Sequence, residues 1–157
     1  MLRPRIVPCL LMSKNGLVKT VKFEKPKYVG DPINAVKIFN EKKVDELVIL
    51  DIEATSKNRE PNFKLLEKIA NVSRMPLAYG GGVSSIEHFQ KIISLGIENV
   101  ILSIAFIYSE NFIKDCSNQF GSQSVVICLD FKRKRFSKNR IEVYTNNGKT
   151  YVDKDLI

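Results

Sequence analysis

Five short apolar segments, separated by amphipathic segments, constrain the fold of this chain most strongly. They are rich in β-branched residues and lie at 5–12, 46–52, 75–82, 99–105 and 124–131. Near-continuous apolar character is typical of parallel strands that are covered on both faces. The amphipathic segments between them have helical periodicity. Strands that alternate with helices predict an α/β fold with a parallel sheet of βα units.

The helix boundaries are marked by residues that favour helix ends. Asp31 is predicted to be the N-cap of a helix that begins at Pro32, because proline is preorganised for the first helical position. A later helix is predicted to begin at a Ser84 or Ser85 cap and to end at Gly96. These boundaries support the division of the chain into repeated βα units.

The even spacing of the strands favours a βα barrel over an open doubly wound sheet. An eight-stranded barrel takes about 250 residues, whereas the 157 residues here supply about five strands. We therefore expect one unit, 1–157, that is either a fragment of such a barrel, its amino-terminal part, or a partial barrel that must find a partner. Within it, 1–122 would hold four βα units, and 123–157 would hold the fifth strand and a hairpin. An Asn-Gly turn at 147–148 indicates that hairpin.

The basic character of the chain leaves several roles open. A net charge of +8 suits nucleic acid, anionic phosphate ligands or solubility alone. The densest basic run, at 132–140, is either a solvated hairpin or a lid that attracts anions. Nucleic acid is the least favoured partner, because only Phe131 and Phe136 interleave with this run.

The cysteine content and the apolar runs limit the class of protein. Three cysteines without CxxC spacing indicate neither a disulfide framework nor a zinc site. Cys9 and Cys128 are expected to be small buried hydrophobes. No apolar run approaches the roughly 20 residues of a membrane span, so we expect a cytoplasmic protein without a membrane segment. No cofactor is expected. His88, the only histidine, is expected to be structural or exposed.

Polar residues and glycines follow the predicted strands at their carboxyl ends, which face the active site in βα barrels. Asp51, Asp130 and Ser103 hold such positions. Glycines at 80–82 form either a phosphate site, since their backbone N–H groups can approach an anion, or a tight turn. Lys19, in a glycine-bearing loop after the first strand, is either a mobile loop lysine or a phosphate contact.

Several segments, taken in order, resemble one family. They are RIVPCL, VGDP, DELVILDI, YGGGV and FGSQSVV. Over its whole length the chain resembles the cyclase (synthase) subunit of imidazole glycerol phosphate synthase, the HisF family. The resemblance implies an eight-stranded TIM barrel that docks a glutaminase subunit at its amino-terminal rim. It also implies that ammonia passes through the barrel to close an imidazole ring on a substrate with two phosphates.

At the cyclisation end, the resemblance assigns catalytic positions. Asp130 matches the catalytic acid on the fifth strand, and Lys19 and Asp51 match residues that line the pocket. Leu11 stands where the family has its catalytic base, and leucine cannot accept a proton. General acid–base groups contribute about 10²- to 10⁴-fold, so we expect impaired ring closure.

The resemblance also implies a first phosphate site. Gly81, Gly82 and Ser103 fall at this site. Ser103 and Ile104 replace an Asn-Thr pair of the family, which removes a hydroxyl at Ile104. The second phosphate site and three further strands of the family lie beyond this sequence.

At the opposite end, the resemblance implies an ammonia entrance. Arg5 and Glu46 match charged gate residues, and Asn99 replaces a gate lysine, which loosens the charge balance. Glu98 and Gln123 match positions at the glutaminase interface. The ammonia-handling residues are therefore better kept than those for ring closure.

A divergent branch of the family combines these features, and PCLLM fits it better than the histidine-pathway enzyme. Members of that branch resemble the cyclase but work with a glutaminase to feed ammonia to a sugar amidotransferase acting on bacterial surface polysaccharide. The leading hypothesis is such an ammonia-channelling subunit. The alternatives are a histidine-pathway cyclase in which a neighbouring group replaces the lost base, and a non-catalytic module that binds a phosphorylated ligand. The isolated chain is expected to self-associate, since edge strands and barrel interior lack cover.

Overall fold

The computed structural model describes residues 3–14, 16–21, 24–103, 109–133, 141–145 and 148–152. The strands of the larger sheet are β1 (Cys9–Ser13), β2 (Gly16–Val21), β3 (Glu24–Gly30), β4 (Leu47–Asp51), β5 (Leu77–Gly80), β6 (Asn99–Leu102) and β7 (Val125–Ile127). The smaller sheet contains β8 (Asp130–Arg133), β9 (Ile141–Thr145) and β10 (Thr150–Val152). The helices are α1 (Pro32–Lys42), α2 (Phe63–Val72), α3 (Ile86–Ser94) and α4 (Glu110–Phe120).

The larger sheet contains the five parallel strands that the sequence predicts. Its order is β3-β2-β1-β4-β5-β6-β7, and the pairs β1–β4, β4–β5, β5–β6 and β6–β7 are parallel. Each parallel strand therefore lies beside the next one in the chain, as successive βα units require. The described part is thus an α/β structure with the architecture of a partial barrel.

An antiparallel hairpin, β2 and β3, extends the sheet beyond β1, and it corrects the placement of Lys19. This residue lies on β2, opposite Lys27, and not in a loop. Leu17 is buried beside less buried neighbours. The β-branched Val18 and Thr20 also favour a strand. The single glycine at 16 was therefore a poor indicator of a loop.

Two predicted strands are shorter than their apolar segments. β1 begins only at Cys9, because Pro4 and Pro8 lack the N–H group that a strand ladder needs. The fifth parallel strand ends at Ile127, and Cys128 donates a last hydrogen bond to the Leu102 carbonyl at 2.9 Å. Since β6 also ends there, the chain leaves this sheet and passes into the smaller one.

The smaller sheet contains the predicted hairpin. β9 and β10 are antiparallel, with Thr145 opposite Thr150, and β8 pairs with the other edge of β9. Asp130 therefore begins a strand of this sheet instead of ending the fifth parallel strand. Most of the basic run, 134–140, and the turn residues 146–147 lie outside the described residues.

The helix boundaries follow the predicted capping residues. Asp31 accepts a hydrogen bond from the Asn34 N–H at 2.9 Å and caps α1. Ser85, not Ser84, caps α3 through the His88 N–H at 3.2 Å. Gly96, with a φ of +88°, follows the end of α3 in a conformation that favours glycine.

The core lies between the helices and one face of the sheet. Leu47 and Ile49 of β4 belong to this core, and the Phe89 and Phe120 rings stack at 4.9 Å between their centroids. The alternate residues of each strand point to the opposite face of the sheet, where Ala78 and Ile101 are also buried. Cys9 and Cys128 are exposed, contrary to prediction, whereas Cys116 of α4 is buried.

Neither a membrane-spanning helix nor a metal cluster occurs in the described part of the chain. Among these residues, no helix has the length and apolar character needed to cross a membrane. The same residues contain no group of three or more His, Cys, Asp or Glu side chains that could hold a metal ion.

Candidate functional site

The carboxyl ends of the parallel strands form one edge of the sheet, where most of the predicted pocket residues lie. Asp51 ends β4, Gly81 and Gly82 follow β5, and Ser103 follows β6. Leu11 lies on β1 opposite Leu50, close to the same edge. The structure therefore brings residues from four separate segments to one edge, as the parallel topology requires.

Asp51 is the most buried polar residue at this edge. Its side chain is only 1% exposed. Oδ1 accepts hydrogen bonds from the N–H groups of Glu53 and Ala54 at 3.1 and 3.0 Å, and Arg59 Nη2 lies 3.5 Å away. Burial raises the pKa of Asp51, and the Glu53 N–H and Arg59 partly oppose that shift. Asp51 is thus held in a fixed orientation by its own loop.

Gly81 and Gly82 are in conformations and spaces that exclude a side chain. Their φ angles are +121° and +72°. A Cβ at Gly81 would lie 2.4 Å from the Asp51 carbonyl oxygen, and one at Gly82 would lie 2.4 Å from the Arg59 carbonyl oxygen. The Gly82 N–H donates to Thr55 Oγ1 at 3.1 Å. These glycines therefore form a tight turn against the loop after β4, and an anion at Gly82 would replace the Thr55 hydroxyl.

The remaining predicted pocket residues are separate from Asp51. Lys19 is exposed on β2, Ser103 is exposed after β6, and Asp130 is half-buried opposite Tyr144 in the smaller sheet. Within the described residues, no hydrogen bond or ion pair joins Lys19 or Asp130 to Asp51. These residues do not form a contacting cluster.

The amino-terminal edge of the same strands contains a contacting polar set. Arg5 Nη2 lies 2.8 Å from Glu46 Oε2, and Asn99 Nδ2 donates to Glu46 Oε1 at 3.3 Å. The Glu46 side chain is 15% exposed, whereas that of Arg5 is 63% exposed. The predicted gate residues thus meet through the two oxygens of one carboxylate. Glu98 and Gln123, just before β6 and β7, are exposed at this edge.

Sequence reasoning missed the loop after β4. Glu53 Oε1 pairs with Lys57 at 2.8 Å, and Arg59 contacts Asp51. The Tyr79 hydroxyl donates to the Gly81 carbonyl at 3.0 Å, and burial, followed by the Asp51 charge, raises the pKa of Tyr79. The segment DIEATSKNR carries a signal for this loop, because charged and hydroxyl residues directly follow a strand that ends in a carboxylate.

Comparison with known proteins identifies relatives for nearly the whole chain. The family described as "Histidine biosynthesis protein" matches residues 5–157. A Leptospira borgpetersenii protein, named "Putative imidazole glycerol phosphate synthase subunit HisF", is 49% identical over 99% of this chain and 61% of its own length. A Pseudomonas aeruginosa protein with the corresponding hisF2 name is 49% identical over 94% of this chain and 58% of its own length.

A more distant relative carries the same subunit name. The Streptococcus mutans "Imidazole glycerol phosphate synthase subunit HisF" is 36% identical over 100% of this chain and 62% of its own length. The chain therefore spans about three fifths of the length of the curated relatives it matches.

Proposed function

Because the chain belongs to the histidine biosynthesis protein family, a family of TIM barrels that includes HisF subunits, we propose that it acts as the ammonia-receiving barrel subunit of a glutamine amidotransferase complex. Its partner would be a glutaminase, and its location the cytoplasm. The nitrogen would go to a sugar of surface polysaccharide through a sugar amidotransferase. Ring closure would be weak.

The contact of Glu46 with Arg5 and Asn99 carries this proposal. The carboxylate lies at the amino-terminal edge of the strands and is compensated by one cation and one amide. Because the Arg5 side chain is 63% exposed, this ion pair contributes little to stability, and Arg5 can move away without unfolding the edge. The set can therefore close the entrance to water and charged solutes, and a shift of the exposed Arg5 side chain would open a path for neutral ammonia.

The opposite edge supports weak ring closure. Leu11 offers no proton acceptor where the family resemblance expects one, while Asp130 would keep the role of catalytic acid and Lys19 and Asp51 would line the pocket. Gly81, Gly82 and Ser103 would hold one phosphate of the substrate. The exposed position of Ser103 and the turn conformation of the glycines are compatible with that role.

A ring-closure assay with ammonium salts tests the proposal. The full-length protein is compared with its Leu11→Asp and Leu11→Asn variants, since asparagine matches aspartate in size but cannot act as a base. We expect Leu11→Asp to gain about 10²-fold or more and Leu11→Asn to gain nothing. Wild-type turnover equal to that of an ordinary cyclase would refute the proposal.

A second candidate function is the histidine-pathway cyclase itself. The 36% identity to the Streptococcus mutans subunit across all 157 residues favours it. In that case a neighbouring group would replace the missing base. Growth of a histidine-requiring strain after introduction of the full-length gene would support this function over the first.

A further inference from the structure

The end of β4 and the loop after it contain two buried carboxylate oxygens that lack hydrogen-bond partners among the described residues. Asp51 Oδ2 and Glu53 Oε2 are the buried side-chain nitrogen or oxygen atoms that have no hydrogen-bond partner in the described ranges. An unsatisfied buried polar atom is costly and calls for an explanation, such as a ligand. Asp51 ends β4 and Glu53 lies in the loop directly after it, so both atoms belong to the same edge of the sheet.

The other oxygen of each carboxylate is already occupied. Asp51 Oδ1 accepts from two backbone N–H groups, and Glu53 Oε1 pairs with Lys57 at 2.8 Å. This bonding fixes both carboxylates, whereas Oδ2 and Oε2 have no hydrogen-bond partner among the described residues. Arg59 Nη2 is 3.9 Å from Glu53 Oε2, which is beyond hydrogen-bond distance.

The loop lies over the carboxyl ends of the neighbouring strands. The Ile52 N–H donates to the Met12 carbonyl of β1 at 3.0 Å, and the Ser13 hydroxyl lies beside the Glu53 carboxylate. On the other side, Thr55 accepts the Gly82 N–H. Glu53 is therefore placed between the end of β1 and the glycine turn after β5.

The local charges indicate the chemistry of the missing partner. Arg59 and Lys57 already compensate Asp51 and Glu53. A cationic ligand would add uncompensated charge, whereas a hydroxyl group donates a hydrogen bond without adding any. Two free acceptors in one loop suit two adjacent hydroxyl groups.

We propose that Glu53, together with Asp51, binds a vicinal diol of a sugar ligand, which makes Glu53 a specificity-determining residue. The inference rests on the proposed function, because it assumes that the substrate enters at this edge. Access is through Glu53, whose side chain is 20% exposed, and through movement of Arg59, whose side chain is 37% exposed.

Calorimetric titration of the full-length protein with ribose 5-phosphate and with 2-deoxyribose 5-phosphate tests the inference. These probes differ by one hydroxyl of the diol. We expect ribose 5-phosphate to bind about tenfold more tightly, as for a hydrogen bond to a charged acceptor. Glu53→Ala should abolish the difference, and Glu53→Gln, which keeps an acceptor oxygen, should retain part of it.

Glu60→Ala provides the matched control, because Glu60 lies on the same loop but is 74% exposed. It should keep the full difference between the two probes. Equal binding of both probes by the wild type, binding of neither, or the same loss in Glu53→Ala and Glu60→Ala would overturn the inference. Nitrogen transfer from the glutaminase, measured on the same preparations, separates that failure from failure of the proposed function.

Discussion

Arg5 Nη2 lies 2.8 Å from Glu46 Oε2, so residues 41 positions apart are joined at the amino-terminal edge of the sheet. The contact links the segment before β1 to the segment before β4. Asn99, which begins β6, holds the second oxygen of the same carboxylate.

Loss of the Arg5 side chain should uncouple ammonia production from its use. In a complex of full-length protein and glutaminase, we expect Arg5→Ala to raise the ratio of glutamine hydrolysed to nitrogen transferred by several-fold. The unfolding free energy should change by less than about 1 kcal/mol, since exposed ion pairs contribute little. Arg74→Ala, at an exposed arginine elsewhere, should leave the ratio unchanged. An unchanged ratio in Arg5→Ala would argue against a gate.

Replacement of Asp51 by asparagine should stabilise the protein at neutral pH. The folded state raises the pKa of Asp51 through burial. Between the unfolded and folded pKa values, the folded state binds more protons, so stability falls as pH rises. The amide oxygen that Asp51→Asn introduces can still accept the two backbone N–H groups. Urea unfolding should show a higher free energy for this variant at pH 7 and a smaller difference at pH 3.

Glu87→Gln is a control for that measurement, because its expected change in unfolding free energy at pH 7 has the opposite sign. The pKa of Glu87 is lowered by hydrogen bonds from its own backbone N–H and from Ser85. Its charge therefore stabilises the fold above its unfolded pKa, and this contribution is lost as pH falls. We expect Glu87→Gln to be less stable than wild type at pH 7. A destabilised Asp51→Asn variant would contradict the role of burial.

Gly81→Ala should destabilise the fold. A side chain at this φ of +121° is strained, and its Cβ would clash with the Asp51 carbonyl oxygen. We expect a loss of about 1 to 3 kcal/mol in urea unfolding. Gly30→Ala, where no atom lies within 4 Å of the added Cβ, should change stability by less than about 0.5 kcal/mol. Equal effects of the two substitutions would disprove the close approach.

The 157-residue chain on its own should self-associate through β7. This edge strand has Val126 and Ile127 38% and 37% exposed. An apolar edge strand is a template for pairing with another chain. Light scattering should detect dimers or larger species, and Ile127→Lys should shift them towards monomer. Ile38→Lys, at an exposed position of α1, should leave the degree of association unchanged. A monomeric wild type at micromolar concentration would rule out association through this edge.

The sequence predicted the parallel strands and helix caps well, because both depend on local chemistry. Asp31 and Gly96 act at helix ends through bonds and φ angles that involve only near neighbours. The hairpin at β2 and β3 was missed, since its alternation is short and is interrupted by register shifts.

The candidate sites were predicted unevenly. Arg5, Glu46 and Asn99 were named from the family resemblance, and the structure brings them into contact. Glu53 and Arg59 were missed, because their importance depends on which atoms lack partners after folding. The roles of Asp130, Lys19 and Ser103 remain predictions, as do those of Glu98 and Gln123.

The sequence by itself determined the order of the five parallel strands and of the helices between them, and the cap of α1 at Asp31. The family resemblance added the missing carboxylate at Leu11. Only the tertiary structure decided which carboxylate oxygens are paired, that Cys9 and Cys128 are exposed, and that Asp130 begins a separate sheet. The physical reason is the sequence separation of the interacting residues: helix caps and hydrophobic periodicity involve residues only a few positions apart. Burial and pairing depend on which distant strands become neighbours.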